Sequence, residues 1–351
     1  MLDRLRVPIV QAPLAGGPST PELAAAVSNA GALGFVAAGY KTPQAMVDDI
    51  AATRSLTREP FGVNVFAAIP TEVPSAELDE YADSVRRTTG HAGVEPGSPR
   101  SDDDHFEEKC ERLLSDPVPL VSFTFGCPSH ELVERLHGAG SQVWVTVTDV
   151  DEATVAARAG ADALVAQGIE AGGHRASFDD SGGGDYGVLA LLQLLSAAVD
   201  LPLVASGGIA SGRGVAAVLC AGAAAAQLGS AFMRCPEAGT APVHREALAR
   251  PGRTAVTRAF TGRKARGIVN RFLTEHTDEA PAAYPAVHYM TAPIRAAARK
   301  TGDAEVLNLW AGQAHELAEP IPAAELVRKL HSDARAAIAG VAHRVAPGGT
   351  D

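Results

Sequence analysis

The stretch QGIEAGGHRASF (167–178) brings a glutamine amide, a carboxylate, two adjacent glycines and an imidazole close together. Imidazole is the side chain best placed to move a proton near neutral pH. Gly172 and Gly173 let the backbone carry His174 close to a flat bound ring. His174 is therefore read as catalytic rather than as a surface or structural histidine. Glu170 either orients His174 or a substrate, or caps the N–H groups of its own loop. The remaining histidines fall mostly in segments that read as polar helices or loops. They form no HExxH and no close His/Asp cluster, so no metal site is expected. The chain also has no GxSxG and no P-loop.

A second set of polar residues falls at the ends of apolar runs: Gln11, Asn64, Thr124, Thr146, Gln167, Ser206 and Gln227. Buried amides and hydroxyls need partners. Gathered at one end of a sheet, they point to a shared polar ligand, against a mouth filled with water and mutual hydrogen bonds. SGGI (206–209) and QLGSAF (227–232) add glycine-bearing turns whose backbone N–H groups can approach an anion. A phosphate is their natural occupant, although such turns also serve ordinary connections. QAPLAGG (11–17) is stiff at Pro13 and permissive at Gly16 and Gly17. It can lie flat against a planar ring or form a tight turn.

These residues need elements to position them. Eight short apolar runs read as strands: 8–14, 34–39, 61–66, 120–126, 142–148, 163–168, 202–208 and 224–229. Helical patterns that begin with Ser, Thr or Asp and stop at glycine lie between them. Apolar strands alternating with helices imply a parallel sheet covered on both faces, and eight units suggest an α/β (β/α)₈ TIM barrel. An open doubly wound sheet is the alternative. An insertion (67–117) separates strands three and four. The expected domains are a barrel over 1–239, a helical substrate-binding lid over 240–345 and a frayed tail over 346–351. Within 257–272, five basic residues either face an anionic substrate or form a solvated helix edge. The acidic run 102–104 reads as a solvated loop.

The chain of 351 residues carries a formal net charge of −11, which opposes binding to nucleic acid or to an anionic membrane surface. No apolar run is long enough to span a bilayer, and the N-terminus lacks a secretion signal. The four cysteines, without metal-ligand spacing, read as buried or half-buried thiols in a reducing cytosol, with Cys127 and Cys220 in apolar surroundings. A cytoplasmic location is expected, and a homodimer is left open.

In order, QAPLAGG, GVNVF, VSFTFGCPS, AQGIEAGGHRASF, VASGGIASGRG and AAQLGSAF resemble the nitronate monooxygenases, formerly 2-nitropropane dioxygenases, and most of all their first class. The resemblance spans about 7–235 and continues more loosely through YPAVHYMTAPIRAAA and LWAGQ. It implies an FMN-containing barrel. Ala12, Pro13 and Leu14 would lie along the isoalloxazine, with leucine standing where methionine is common. Asn64 and Gln167 would hydrogen-bond the flavin, and Gly172 would pack near it. Gly207 and Gly208 would hold the phosphate, with Gln227, Leu228, Gly229 and Ser230 completing that site. His174 matches the family's active-site histidine, and Tyr284, His288 and Tyr289 would neighbour the substrate. The implied reaction turns a nitronate or nitroalkane and dioxygen into a carbonyl compound and nitrite. His174 would act as a base or, protonated, would stabilise the nitronate charge. Flavin-type enoyl-acyl-carrier-protein reductases, which use NADH, share an EAGGH-like loop and are the alternative. A non-catalytic FMN-binding barrel is a third.

Overall fold

A computed structural model describes residues 1–67, 70, 71, 73–89, 93–180 and 184–345. The tail 346–351 lies outside them, as do His91 and 181–183 of the glycine-rich loop. The strands are β1 Ile9–Gln11, β2 Gly34–Ala37, β3 Phe61–Phe66, β4 Leu120–Thr124, β5 Gln142–Val147, β6 Ala163–Gln167, β7 Gly173–His174, β8 Leu203–Ser206, β9 Ala225–Leu228, β10 Thr254–Thr257 and β11 Ala265–Ile268. Eight of them form one parallel sheet in the order β1-β9-β8-β6-β5-β4-β3-β2. A bridge between Val10 and Leu33 brings β1 back beside β2, so the sheet curls into a nearly closed barrel. The open-sheet alternative falls with that bridge.

Side chains alternate along a strand, and the alternation sorts the core. One row, from Val10, Leu33, Phe35, Leu120, Trp144, Ala163, Val165, Val204 and Ala225, fills the barrel interior. Met1, Leu2 and Leu5 pack beneath it. The opposite row, including Val63, Val121, Val145, Leu164 and Ala205, packs outward against the helices. Each such Val or Leu stabilises the fold by about 1.5–3 kcal/mol. Two residues beyond the apolar interior layer, the inward row becomes polar, with Asn64, Ser122, Thr124, Thr146, Gln167, Ser206 and Gln227. Gln11 has the opposite phase. Its Oε1 accepts the Phe35 N–H at 2.9 Å and its Nε2 donates to Ser19 Oγ at 3.0 Å. It locks the seam between β1 and β2 instead of entering the mouth.

The connecting helices start where their caps dictate. Thr20, Thr42, Ser129, Asp149 and Ser211 each accept a backbone N–H three residues on. Each such cap contributes about 1 kcal/mol.

The segment 240–345 is mostly helical, with two additions. It contains the β10–β11 hairpin, which pairs with β7 in a separate antiparallel sheet. Its last helix, Ala323–Val345, returns to the barrel, where Leu326, Val327, Leu330 and Ala334 join the main core. The basic run is therefore mostly turn and strand, and only Arg271, exposed at the start of the helix Arg271–His276, lies on a helix edge. Arg263 and Arg266 are buried, and Arg258 pairs with Asp180 at 2.6 Å. The insertion between β3 and β4 carries the helices Ser75–Thr89 and Phe106–Ser115. Of the run 102–104, Asp102 and Asp104 are fastened, while Asp103 is exposed to solvent. Asp104 bonds the buried Lys109 at 2.6 Å and the Tyr40 N–H at 3.0 Å, while Asp102 accepts the Tyr289 hydroxyl at 2.5 Å. Burial raises Asp104 to about 6.

Candidate active site

A cavity of about 510 Å³ opens at the C-terminal ends of the barrel strands. Its floor is the polar inward row. Register places Gln167 opposite Ser206 and Ser206 opposite Gln227, so two amides flank a hydroxyl. Asn64 spends its Nδ2 protons on Ser122 Oγ at 2.9 Å, Thr124 Oγ1 at 3.0 Å and the Ser122 carbonyl. Its Oδ1 remains as an acceptor. Gln167 accepts the Ala176 N–H at 2.9 Å and donates to the His174 carbonyl at 3.1 Å. One of its amide protons is left for a ligand, while the rest of the group holds the histidine segment in place.

Ala12, Pro13, Leu14, Asn64, Gln167, Gly172, Gly207, Gly208, Gln227, Gly229 and Ser230 all line this cavity. Leu228 does not. It is 1% exposed and packs outward in the helix layer, its carbonyl accepting the Ala12 N–H at 2.8 Å. Gly207 and Gly208 take φ of +113° and +68°. Their N–H groups and that of Gly229 make no hydrogen bond to the described residues, leaving three free donors in adjoining turns that can receive an anion. Ser230 Oγ is engaged by the Gly312 N–H at 2.9 Å. Gly172 is glycine because a Cβ there would sit 2.3 Å from the Gly312 nitrogen, so the close approach is to protein backbone.

His174 sits on β7, paired with Ala265 of β11, and not in a free loop. Its Nε2 lies 2.9 Å from Thr261 Oγ1. That hydroxyl can donate to the Arg263 carbonyl at 3.3 Å, in which case it receives the Nε2 proton and the Nδ1 lone pair stays free. Phe125, Trp310 and Tyr284 surround the ring at centroid distances of 5.5, 5.6 and 6.0 Å. Burial, with Arg263 and Arg295 nearby, lowers its pKa to about 3. At that value the imidazole is neutral at rest. Glu170 does not orient it: the carboxylate accepts the Val188 N–H at 3.1 Å and caps the helix Val188–Ala198.

The three expected substrate neighbours separate. His288 lines the cavity, Tyr284 is buried behind His174, and Tyr289 points to Asp102. Sequence reasoning missed Tyr40, Phe125, Thr261, Arg295 and Trp310, whereas Arg263 belongs to the basic run read as facing an anionic substrate or forming a helix edge. Arg263 lies 4.3 Å over the Phe125 ring. Tyr40 and Phe125 have φ of +63° and +76°, unusual for side-chain-bearing residues, and both follow barrel strands. Four histidines that read as polar are not exposed: His244, His276 and His315 are buried and His288 half-buried. Of the cysteines, Cys220 is exposed, contrary to its apolar reading, and all four are free. Among the described residues no group of side chains could hold a metal ion, and no helix is long and apolar enough to cross a membrane.

Comparison with known proteins agrees with this geometry. The nitronate monooxygenase family model matches residues 1–333. A nitronate monooxygenase of Pseudomonas aeruginosa is 41% identical, covering 94% of this chain and 97% of its own. A solved nitroalkane oxidase from Streptomyces ansochromogenes superposes with a TM-score of 0.93 at 48% identity, covering 97% of this chain and 99% of that one. FabK from Thermotoga maritima is more distant, at 26% identity and a TM-score of 0.77 over 98% of both chains. With the family model spanning nearly the whole chain and the barrel shared throughout, this protein belongs to the nitronate monooxygenase family, a family of oxidoreductases.

Proposed function

We propose that the chain is an FMN-dependent nitronate monooxygenase that converts an alkyl nitronate and dioxygen to a carbonyl compound and nitrite. The observation that carries this reading is the meeting, in one cavity, of a neutral half-buried histidine, a floor of amides and three free backbone N–H donors. That donor set fits a flat heterocycle ending in a phosphate. Asn64 Oδ1 would accept from the ring and the free Gln167 proton would donate to it. Ala12, Pro13 and Leu14 would lie along the ring, and the turns at Gly207, Gly208, Gly229 and Ser230 would take the phosphate, with Gln227 beside them. Leu228 would contribute through backbone position alone. FMN, when bound, would supply the electron acceptor that no side chain here provides.

The protein's own residues do the rest. His174, neutral through the physiological range, takes the carbon proton from a neutral nitroalkane and leaves a nitronate unprotonated. Phe125, Tyr284 and Trp310 wall the ring off from bulk water, which strengthens local electrostatics. The segment 240–322 serves as the lid, bringing Thr261, His288 and Arg295 over the mouth. The FabK likeness keeps an NADH-dependent enoyl reductase as the competitor. Oxygen uptake by purified protein with an alkyl nitronate and no NADH tests the proposal. Uptake with nitrite release is expected. NADH oxidation driven only by an enoyl thioester would overturn it.

A further inference from the structure

On the lid side of the cavity, the helix Ala286–Thr301 presents His288 and Arg295. Arg295 is 8% exposed. Its Nε donates to Thr291 Oγ1 at 3.0 Å, and its Nη2 donates to the His288 carbonyl at 2.8 Å and reaches His288 Nδ1 at 3.2 Å. A guanidinium has donors only. His288 Nδ1 must therefore offer a lone pair, and the proton of the neutral ring must sit on Nε2. The ring cannot turn freely, because it stacks on Tyr40 at 4.2 Å with 4° between planes. Thr291 Oγ1 is fixed in turn by the Phe260 carbonyl at 2.5 Å. Among the described residues, His288 Nε2 and Arg295 Nη1 have no hydrogen-bond acceptor, and no carboxylate lies within ion-pair distance of Arg295. Because Arg295 meets the ring at Nδ1, the Nε2–H points away from the guanidinium, and the His288 ring lines the cavity.

We propose that Arg295 holds His288 as its Nε2–H tautomer, and that this N–H donates to an oxygen of a planar, two-oxygen anion on the substrate. The inference rests on the nitronate reading and deepens it. The subsite selects the anionic form of the substrate, through the nitronate oxygens or a carboxylate on its tail, over the neutral nitroalkane. His288 would touch substrate, and Arg295 would position it.

The direct test is nitrogen NMR of the imidazoles in the purified protein with the flavin it carries. Wild type should show His288 protonated on Nε2 and bare on Nδ1, and nitrate, a planar anion that is not turned over, should shift the Nε2–H signal. Arg295→Met should mix the tautomers and abolish the nitrate shift. In turnover, His288→Phe keeps the stack on Tyr40 but removes the donor, and KM for a nitronate should rise about 10–100-fold with less change in kcat. His288→Gln should restore part of the loss. An equal rise for nitronates with and without a terminal carboxylate assigns the subsite to the nitronate oxygens; a rise only for the carboxylated one assigns it to the tail. Protonation of Nδ1 in wild type, no response to nitrate, or an unchanged KM in His288→Phe would overturn the proposal. The NMR arms remain decisive even if the chain turns over no nitronate, which separates failure of this inference from failure of the functional reading.

Discussion

The two walls of the cavity are built on opposite principles. The barrel floor is neutral: amides, hydroxyls and backbone N–H groups aligned by strand register, over an apolar layer in which Trp144 is fully buried. The lid wall is cationic and aromatic, with Arg295, Arg299, His288 and Trp310 brought in from residues far along the chain. The floor suits a flat polar group that must be held and not moved. The lid suits a small anion that arrives and leaves. In a chain of net charge −11, a buried guanidinium facing a cavity marks the place where negative charge is received.

Five substitutions or titrations would break or sharpen this contrast. His174→Asn strikes where the walls meet. It should lower kcat/KM for a neutral nitroalkane by about 10²–10⁴-fold while sparing nitronates, as expected for loss of a general base. Equal losses with both substrates would remove the base role. On the floor, Gly208→Asp places a carboxylate against the three free N–H groups. A unit charge about 4 Å from a phosphate at an effective dielectric of ~20 costs ~4 kcal/mol, so flavin affinity should fall on the order of 10³-fold in a titration of the apoprotein. Undiminished affinity in a folded variant would misplace the phosphate.

Trp144→Ala probes the layer beneath the floor. It should cost about 3–5 kcal/mol of stability in denaturant melts, yet leave flavin content unchanged in the fraction that folds. Altered flavin affinity would show that the bottom layer shapes the site.

Acid titration separates the walls again. His174, His244 and His288 are pushed to about 3, 4 and 2 by burial, whereas in the unfolded chain they titrate near 6.5. Below that value the unfolded state binds more protons. The stability they contribute is therefore complete above pH ~6.5 and is lost progressively as pH falls toward their folded values. Asp104, raised to about 6, works in the opposite direction: its contribution is complete at low pH and lost as pH rises through 6. Melting temperature should drop as pH falls below 6.5, and kcat/KM for a nitronate should show no His174 inflection there. An inflection that vanishes in His174→Asn would contradict the neutral imidazole.

The smallest effect belongs to Glu170→Gln. It weakens a helix cap by about 0.5–2 kcal/mol and should leave the pH profile untouched. A shifted profile would return Glu170 to the catalytic group.

The floor was legible in the sequence because strands have period two. Asn64, Gln167, Ser206 and Gln227 announce themselves as polar residues ending apolar runs. Gln11 shows the limit of that reading, since its phase turns it outward, and only the register of β1 reveals this. The lid was nearly illegible. Arg295 looks like any basic residue until the helix Ala286–Thr301 folds over the mouth. The left-handed backbone at Tyr40 and Phe125 leaves no compositional trace. Likewise, nothing local marks the helix Ala323–Val345 as the one that returns to complete the barrel layer.

The most direct measurement of the central claim is the absorption spectrum of the purified protein before and after anaerobic addition of an alkyl nitronate. The account predicts an oxidised flavin spectrum that bleaches without NADH and recovers when oxygen is admitted. A colourless protein that takes up no FMN, or a flavin band that ignores the nitronate and bleaches only with NADH, would contradict it.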